Sequence, residues 1–582
     1  MTPEEKIGAL LHGSLRAEDS EIGRSDKGYD LAAARRAIET GKVTSFITRL
    51  SVSPAELARQ NNAIQRIAEG TRLGIPVTIS TDPRHHFQGL VGASTVANGF
   101  SAWPETLGFA AIGDPALVRR FGEIAARDYR AVGIHMALSP QADLASEPRW
   151  PRGNGTFGSD PATVSALAGA YVQGFQGSAA GLVPSGVAAV VKHWAGYGAQ
   201  PQGFDAHNFY GRYARLTNAS FAQHVAAFRG ALDAKAAGIM PAYPILQGVS
   251  VDGQPLPPVG AGFSKPLLTG LLRGRERYNG LILSDWAITV GCPQSCSAPT
   301  AEHPQEPRAI ATSWGVEKLS SAERYAKGFD AGIDQFGGVD DPAPLLSAFR
   351  AGRIDPARLD DAVRRILALK FQLGLFDDPY VDPAKAERVV GNAAAREAGE
   401  SAQRRALVLL QNRASLLPLG PRKVWLHHVD PAVASAAGLT PVSDPAQADV
   451  AIVRVSTPSE TLHPYHFFGS RQHEGRLDFR DGDADYEAIK RAAARVPTLV
   501  VVDMDRPAIL TNVRDRARAI LVAFGASDAA VLDVATGRAA AQGRLPFELP
   551  SSMQAVEAQD PALPDDSRAP LYPPGAGIVP AR

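Results

Sequence analysis

Ionisable and aromatic residues recur in this chain where short apolar runs end. Asp82 follows PVTIS, and Lys192-His193 follow AAVV. Tyr243 lies just beyond GIM, and Asp285-Trp286 close LILS. After HMALS come Asp143 and then Glu147-Pro148-Arg149-Trp150. One such residue is a trivial helix cap or a satisfied core group, but five in register indicate a site. The residue types suit sugar chemistry. Carboxylates accept hydrogen bonds from hydroxyls, Arg and Lys donate them, and Trp or Tyr stacks on the apolar face of a pyranose. No phosphate-cradling glycine motif is present: GVSVDG and GLLRGRERYNG fit neither a nucleotide-cradling loop nor a dinucleotide fingerprint.

The elements that must position these groups follow from the apolar pattern. Strands are expected at residues 46–49, 76–80, 135–138, 188–192, 238–241, 280–284 and 332–335. Helical patterns such as 114–131, 161–176 and 218–236 lie between them. Repeated strand–crossover units argue for a (β/α)8 TIM-like barrel over residues 1–380, a fold whose chemistry sits at the C-terminal strand ends. Pro, Asp and Asn cluster around 377–394, which reads as a linker at 381–400. A second alternating block, with strands at 423–426, 450–455, 498–502 and 519–523 and a helix at 485–494, reads as a smaller α/β sandwich domain over 401–553. Residues 554–582, rich in Pro, Asp and Ala, read as an irregular tail.

The bulk properties narrow the function class. Lys+Arg and Asp+Glu both number 60, so no excess charge marks a nucleic-acid footprint. No apolar run is long enough to span a bilayer. MTPEEKIGALLHGSL lacks the basic start and long apolar centre of a secretory signal, which suits a cytoplasmic protein, or a periplasmic or secreted one whose signal is gone. The only cysteines, Cys292 and Cys296, are either two free thiols or a small loop-closing disulfide that implies an oxidising compartment. No second cysteine pair or histidine cluster accompanies them, so a zinc site is not expected.

Seven segments, in order, give a more specific indication: TPEEKIG, GIPVTISTDPRH, WPETLGFAA, DLASEPRWPRGNGTFGSDP, VVKHWAGYG, GLILSDWA and LVLLQNRASLLPL. Together they resemble glycoside hydrolase family three. The resemblance implies a retaining exo-acting β-glycosidase, most simply a β-glucosidase, built as a barrel followed by an α/β sandwich with the site at their interface. It implies a small β-glycoside or oligosaccharide substrate and no metal or organic cofactor. Asp285 of SDW matches the nucleophile, and Trp286 would wall the sugar pocket. Asp82, Arg149, Lys192 and His193 match the ligands of the sugar hydroxyls, and Tyr243 the residue that orients the nucleophile. Retention also needs a proton carrier about 5–5.5 Å from the nucleophile.

The proton carrier is where the chain departs from the family pattern. In place of a V-G-E-x-P-Y-x-E-like stretch it has VRVSTPSETLHPYHFFGSRQHEGRLDF. Glu460 is the expected acid/base there, with Glu474 second and Phe467 and Phe468 as an apolar setting. His207, with Asp205 two positions before it, is the third candidate, after the Asp-x-His dyad of the family's β-N-acetylglucosaminidase branch; otherwise the two residues shape the rim. Transglycosylase or phosphorylase chemistry, β-N-acetylglucosaminidase activity and non-catalytic sugar binding remain as alternatives.

Overall fold

The computed structural model describes residues 1–579 except 21, 90–91 and 96–97. Eight parallel strands close into a barrel in chain order. They are β1 (Leu11–Ser14), β2 (Ser45–Ile47), β3 (Thr78–Thr81), β4 (Met136–Ala137), β5 (Ala188–Trp194), β6 (Gly238–Pro241), β7 (Leu281–Trp286) and β8 (Gln335–Gly337). β8 pairs with β1 through Leu11↔Phe336 and His12↔Gly337 to close the ring. Seven of the eight overlap or abut the expected strands. The eighth, β1, has only four residues, and its His12 and Ser14 interrupt the apolar pattern. His12 is buried inside the barrel, with Nε2 2.8 Å from Ser80 Oγ and Nδ1 3.2 Å from Gln335 Oε1. A strand whose inward face is polar gives no hydrophobic signal to read.

The helices start on a recurrent local device. Ser53-Pro54, Asp114-Pro115, Asp160-Pro161, Asp355-Pro356 and Asp382-Pro383 each place a capping oxygen before a proline at the first helical position. The side chain satisfies free N–H groups of the first turn, and proline has no N–H there to lose. The segment expected as a linker, 381–400, is largely helical. Asp382-Pro383 starts the helix Pro383–Val389, and Asn392 caps the helix Ala393–Ala406. Residues 218–236 form two helices, Asn218–Ala226 and Arg229–Asp233. Gly230 lies so close to the helix Pro161–Gln176 that a Cβ there would stand 2.0 Å from the Ser165 carbonyl oxygen.

Beyond the barrel lies a six-stranded sheet of β9 (Val408–Asn412), β10 (Lys423–His427), β11 (Thr440–Val442), β12 (Val450–Ser456), β13 (Thr498–Asp503) and β14 (Ala519–Ala523). Its order is β9-β14-β13-β12-β10-β11, parallel except for the β9–β14 pair. Alternate residues of β13 enter different cores, Val500 and Val502 on one face and Leu499 and Val501 on the other. A central strand covered on both faces reads as a continuous apolar run, which is why 498–502 stood out in the sequence. The segment after residue 553 is largely irregular, apart from the short helix Met553–Glu557 and a bridge from Leu549 to Tyr572; its last three residues lie outside those described.

Candidate active site

A cavity of about 670 Å³ opens over the C-terminal ends of the barrel strands. Every strand supplies a wall residue from its end or the loop after it: Ser14, Arg49, Asp82, Leu138, Lys192, Tyr243, Asp285 and Gly338. Phe467 and Phe468, from the loop after β12, complete the wall from the second sheet. Another cavity, of about 790 Å³, lies where strands begin, beside His135 and Gly186. It holds none of the expected site residues, and barrel chemistry belongs at the opposite end.

Asp285 ends β7 and is buried. Its Oδ1 accepts the Trp286 N–H at 2.8 Å. The Tyr243 hydroxyl hydrogen-bonds the same carboxylate and accepts the Trp286 N–H at 3.0 Å. Among the described residues Oδ2 has no hydrogen-bond partner, and it stands 3.6 Å from His193 Nε2. Burial raises Asp285 above its ordinary value, while His207, Arg152, the Tyr243 bond and Lys192 pull it back. Trp286 lies against bare backbone. A Cβ on Gly337 or Gly338 would come within 2.7 Å or 2.5 Å of the indole, so two glycines at the end of β8 make room for the ring.

Asp82, at the end of β3, meets Lys192 of β5, with Nζ 3.4 Å from Oδ1. Burial lowers the Lys192 ammonium, and Asp82 opposes that shift. His193 lies behind the wall. Its Nδ1 is 2.7 Å from Asp143 Oδ2, which also accepts the His193 N–H at 3.2 Å. Burial pushes Asp143 up to about 8, against the pull of Arg152, and holds His193 well below its usual value. The low-dielectric setting thus favours a neutral pair over an ion pair.

Two expectations need correction. Arg149 does not line the cavity: it forks onto Glu147, with Nε–Oε1 2.7 Å and Nη2–Oε2 3.0 Å. The central guanidinium belongs to Arg152, three residues on in the same EPRWPR segment. It is buried, with Nη1 3.5 Å from His207 Nε2 and Nη2 3.4 Å from His193 Nε2. Glu460 is not among the residues that line the cavity either. Its Oε2 accepts the Arg476 N–H at 2.9 Å, and its backbone pairs with Glu474. Glu474 is buried and saturated, taking the Tyr210 hydroxyl at 2.5 Å and His463 Nδ1 at 2.8 Å.

The third candidate is the one that faces the cavity. His207 lines it, with Nδ1 2.7 Å from Asp205 Oδ2 and its ring centroid 4.4 Å from that of Phe468. Asp205 is held below its ordinary value: burial works against that, but His207, Arg152 and Gln472 outweigh it. Gln472 reaches in from the second sheet's loop and donates Nε2–H to Asp205 Oδ2 at 2.6 Å. Phe468, with Phe467 packed against it, therefore gives His207 an apolar neighbour. Asp143 already stood in the strand-end survey; Arg152 was obscured by the nearer Arg149, and Gln472 carried no signal.

Cys292 and Cys296 form a disulfide. Among the described residues, no helix is long and apolar enough to cross a membrane.

Residues 4–369 match the Glycosyl hydrolase family 3 N terminal domain, and residues 434–579 match the Glycosyl hydrolase family 3 C-terminal domain. The chain belongs to glycosyl hydrolase family 3. It is 52% identical to a Periplasmic beta-glucosidase/beta-xylosidase of Dickeya chrysanthemi, over 99% of this chain and 88% of the relative. It is 38% identical to Beta-glucosidase C of Emericella nidulans, over 99% and 90%. The solved b-glucosidase EmGH1 of Erythrobacter marinus superposes with a TM-score of 0.79 at 23% identity, covering 100% of this chain and 81% of that one, which bears on the fold.

Proposed function

We propose that this enzyme is a retaining exo-β-glycosidase that removes terminal β-D-glucosyl residues, with β-xylosides as a second substrate, and that Asp285 is its nucleophile. The observation that carries this is Asp285 Oδ2, a buried carboxylate oxygen beside the cavity with no hydrogen-bond partner among the described residues. The Trp286 N–H, which Tyr243 also accepts, holds the carboxylate by Oδ1, so a lone pair on Oδ2 stays free to attack an anomeric carbon. Asp82 and Lys192 suit the sugar hydroxyls, and the Trp286 indole suits its apolar face. The names of the Dickeya and Emericella relatives support glucosides and xylosides as the substrate class.

In this reading His207 carries the proton. It would donate to the departing glycosidic oxygen and then take a proton from water to release the sugar. Asp205 holds Nδ1, which leaves Nε2 as the exchanging atom, and Arg152 sits beside it. The disulfide and the word periplasmic in the Dickeya relative's name support an oxidising compartment outside the cytoplasm.

Incubation with an activated 2-deoxy-2-fluoro-β-glucoside, read by intact mass and peptide mapping, tests the proposal. An adduct on the peptide carrying Asp285 is expected. An adduct on another residue, or none in an enzyme that turns over aryl β-glucosides, would overturn it.

A further inference from the structure

The second sheet has a switch in chain direction that the glycosidase site does not use. From β10 the chain moves outward to β11, then returns to the opposite flank of β10 for β12 and continues through β13 to β14. In open α/β sheets, ligands bind in the crevice outside the carboxyl ends of the two strands that flank such a switch. Those ends are His427 of β10 and Ser456 of β12.

Metal-ligating side chains converge at that point. His427 Nε2 stands 3.2 Å from Asp485 Oδ1, and His428 Nδ1 stands 3.6 Å from the same oxygen. All three ligand atoms lie within 4.8 Å of one another. Asp485 is in the first turn of the helix Ala484–Ala493, which follows β12. Its Oδ2 takes the Ser456 N–H at 3.4 Å, which leaves Oδ1 for the imidazoles. His428 has a left-handed backbone, φ 54°, and its ring lies 3.9 Å from that of His427, centroid to centroid.

An ion pair explains this arrangement poorly. One imidazolium would satisfy Asp485, and two stacked so closely would repel each other. Two neutral imidazoles and one carboxylate are a common divalent-metal donor set. Zinc bonds of about 2.0–2.1 Å in a tetrahedron put neighbouring ligands roughly 3.3 Å apart, which the two measured distances bracket. His428 is exposed, so a fourth position is open to solvent.

We propose that His427, His428 and Asp485 bind one divalent transition ion, zinc above all, which staples the end of β10 to the start of the helix after β12. None of the three lines the substrate cavity. The ion's role is therefore structural, and glycoside turnover does not depend on it.

The test is calorimetric titration of ZnCl2 into the full chain after EDTA treatment and dialysis. His428→Gly and Asp485→Asn run alongside; glycine relieves the positive φ at 428, and turnover of an aryl glucoside checks that each variant is folded. One zinc ion per chain is expected, with affinity falling roughly a hundredfold in each variant. Zinc should raise the thermal midpoint of the wild type only. No saturable uptake by the wild type would overturn the proposal. So would uptake unchanged in both variants, which would place the ion elsewhere.

Discussion

Replacing His207 by alanine tests the assignment of the proton carrier. The His207–Asp205 pair, 2.7 Å between Nδ1 and Oδ2, lines the cavity beside Phe468, whereas Glu460 and Glu474 are not among the lining residues and are tied to Arg476, Tyr210 and His463. A positioned acid/base contributes about 10²–10⁴-fold to rate. At roughly 1.4 kcal/mol per factor of ten, that is about 3–6 kcal/mol of barrier. The full loss should fall on substrates whose leaving group needs a proton. For His207→Ala, kcat/KM on an alkyl β-glucoside should therefore drop about a thousandfold. On a 2,4-dinitrophenyl β-glucoside, which leaves unprotonated, the drop should be under about tenfold. With that substrate, release of the sugar becomes limiting, and azide should restore turnover by attacking the glycosyl-enzyme without a base. Glu460→Gln should leave both substrates within about twofold, as for a substitution away from the chemistry. Kinetics on the two substrates, with thermal midpoints to confirm folding, read the outcome. If Glu460→Gln gives the leaving-group split and azide rescue while His207→Ala does not, the reasoning from cavity placement is wrong.

Two further perturbations follow. Lys192→Met removes one of the charges that hold Asp285 down against burial. The carboxyl then titrates higher, so the acidic limb of the kcat/KM profile should move to higher pH; a limb that stays or moves lower would show that Lys192 does not act on the nucleophile's ionisation. Gln472→Leu removes the 2.6 Å donor to Asp205. A hydrogen bond to a charged group contributes about 1.5–3 kcal/mol, so kcat/KM on alkyl glucosides should fall roughly ten- to a hundredfold. The dinitrophenyl substrate should be nearly unaffected, and equal losses on both substrates would mean that Gln472 supports the fold rather than the dyad.

The loop after β12 explains how the two parts of the chain make one site. It brings Phe467 and Phe468 over the barrel mouth and Gln472 onto the dyad. It docks through reciprocal bonds with residue 305, where Gln305 N–H donates to the Tyr465 carbonyl at 2.9 Å and Gln305 Oε1 accepts the Phe467 N–H at 3.0 Å. In the proposed mechanism the barrel supplies a nucleophile and hydroxyl ligands on rigid strand ends. The second sheet excludes water and orients the imidazole, so a change in this loop should alter protonation before it alters sugar binding.

Much of this protein was legible along the chain, for local reasons. An apolar run that ends in a carboxylate or cation is a strand end in a barrel, so Asp82, Lys192, Tyr243, Asp285 and Trp286 could be placed at one mouth from their neighbours alone. The doubly covered strands of the second sheet stood out as continuous apolar runs. Where the reading failed, the missing information was spatial or concealed. β1 was hidden because its inward His12 bonds Ser80 and Gln335 of other strands instead of packing in a hydrophobic core. The linker reading took Asp-Pro for a breaker where it caps a helix. Arg149 and Arg152 are three residues apart in one segment, and only the fold shows which guanidinium turns to the histidines and which to Glu147. The proton carrier depended most on tertiary structure. Glu460, Glu474 and His207 are all plausible by type, and the choice turns on which of them a loop more than 250 residues downstream of Asp205 presses against the cavity. Chain-local pattern carries strand ends and caps because backbone geometry is local; it cannot carry a contact made by packing one domain's loop over another's barrel.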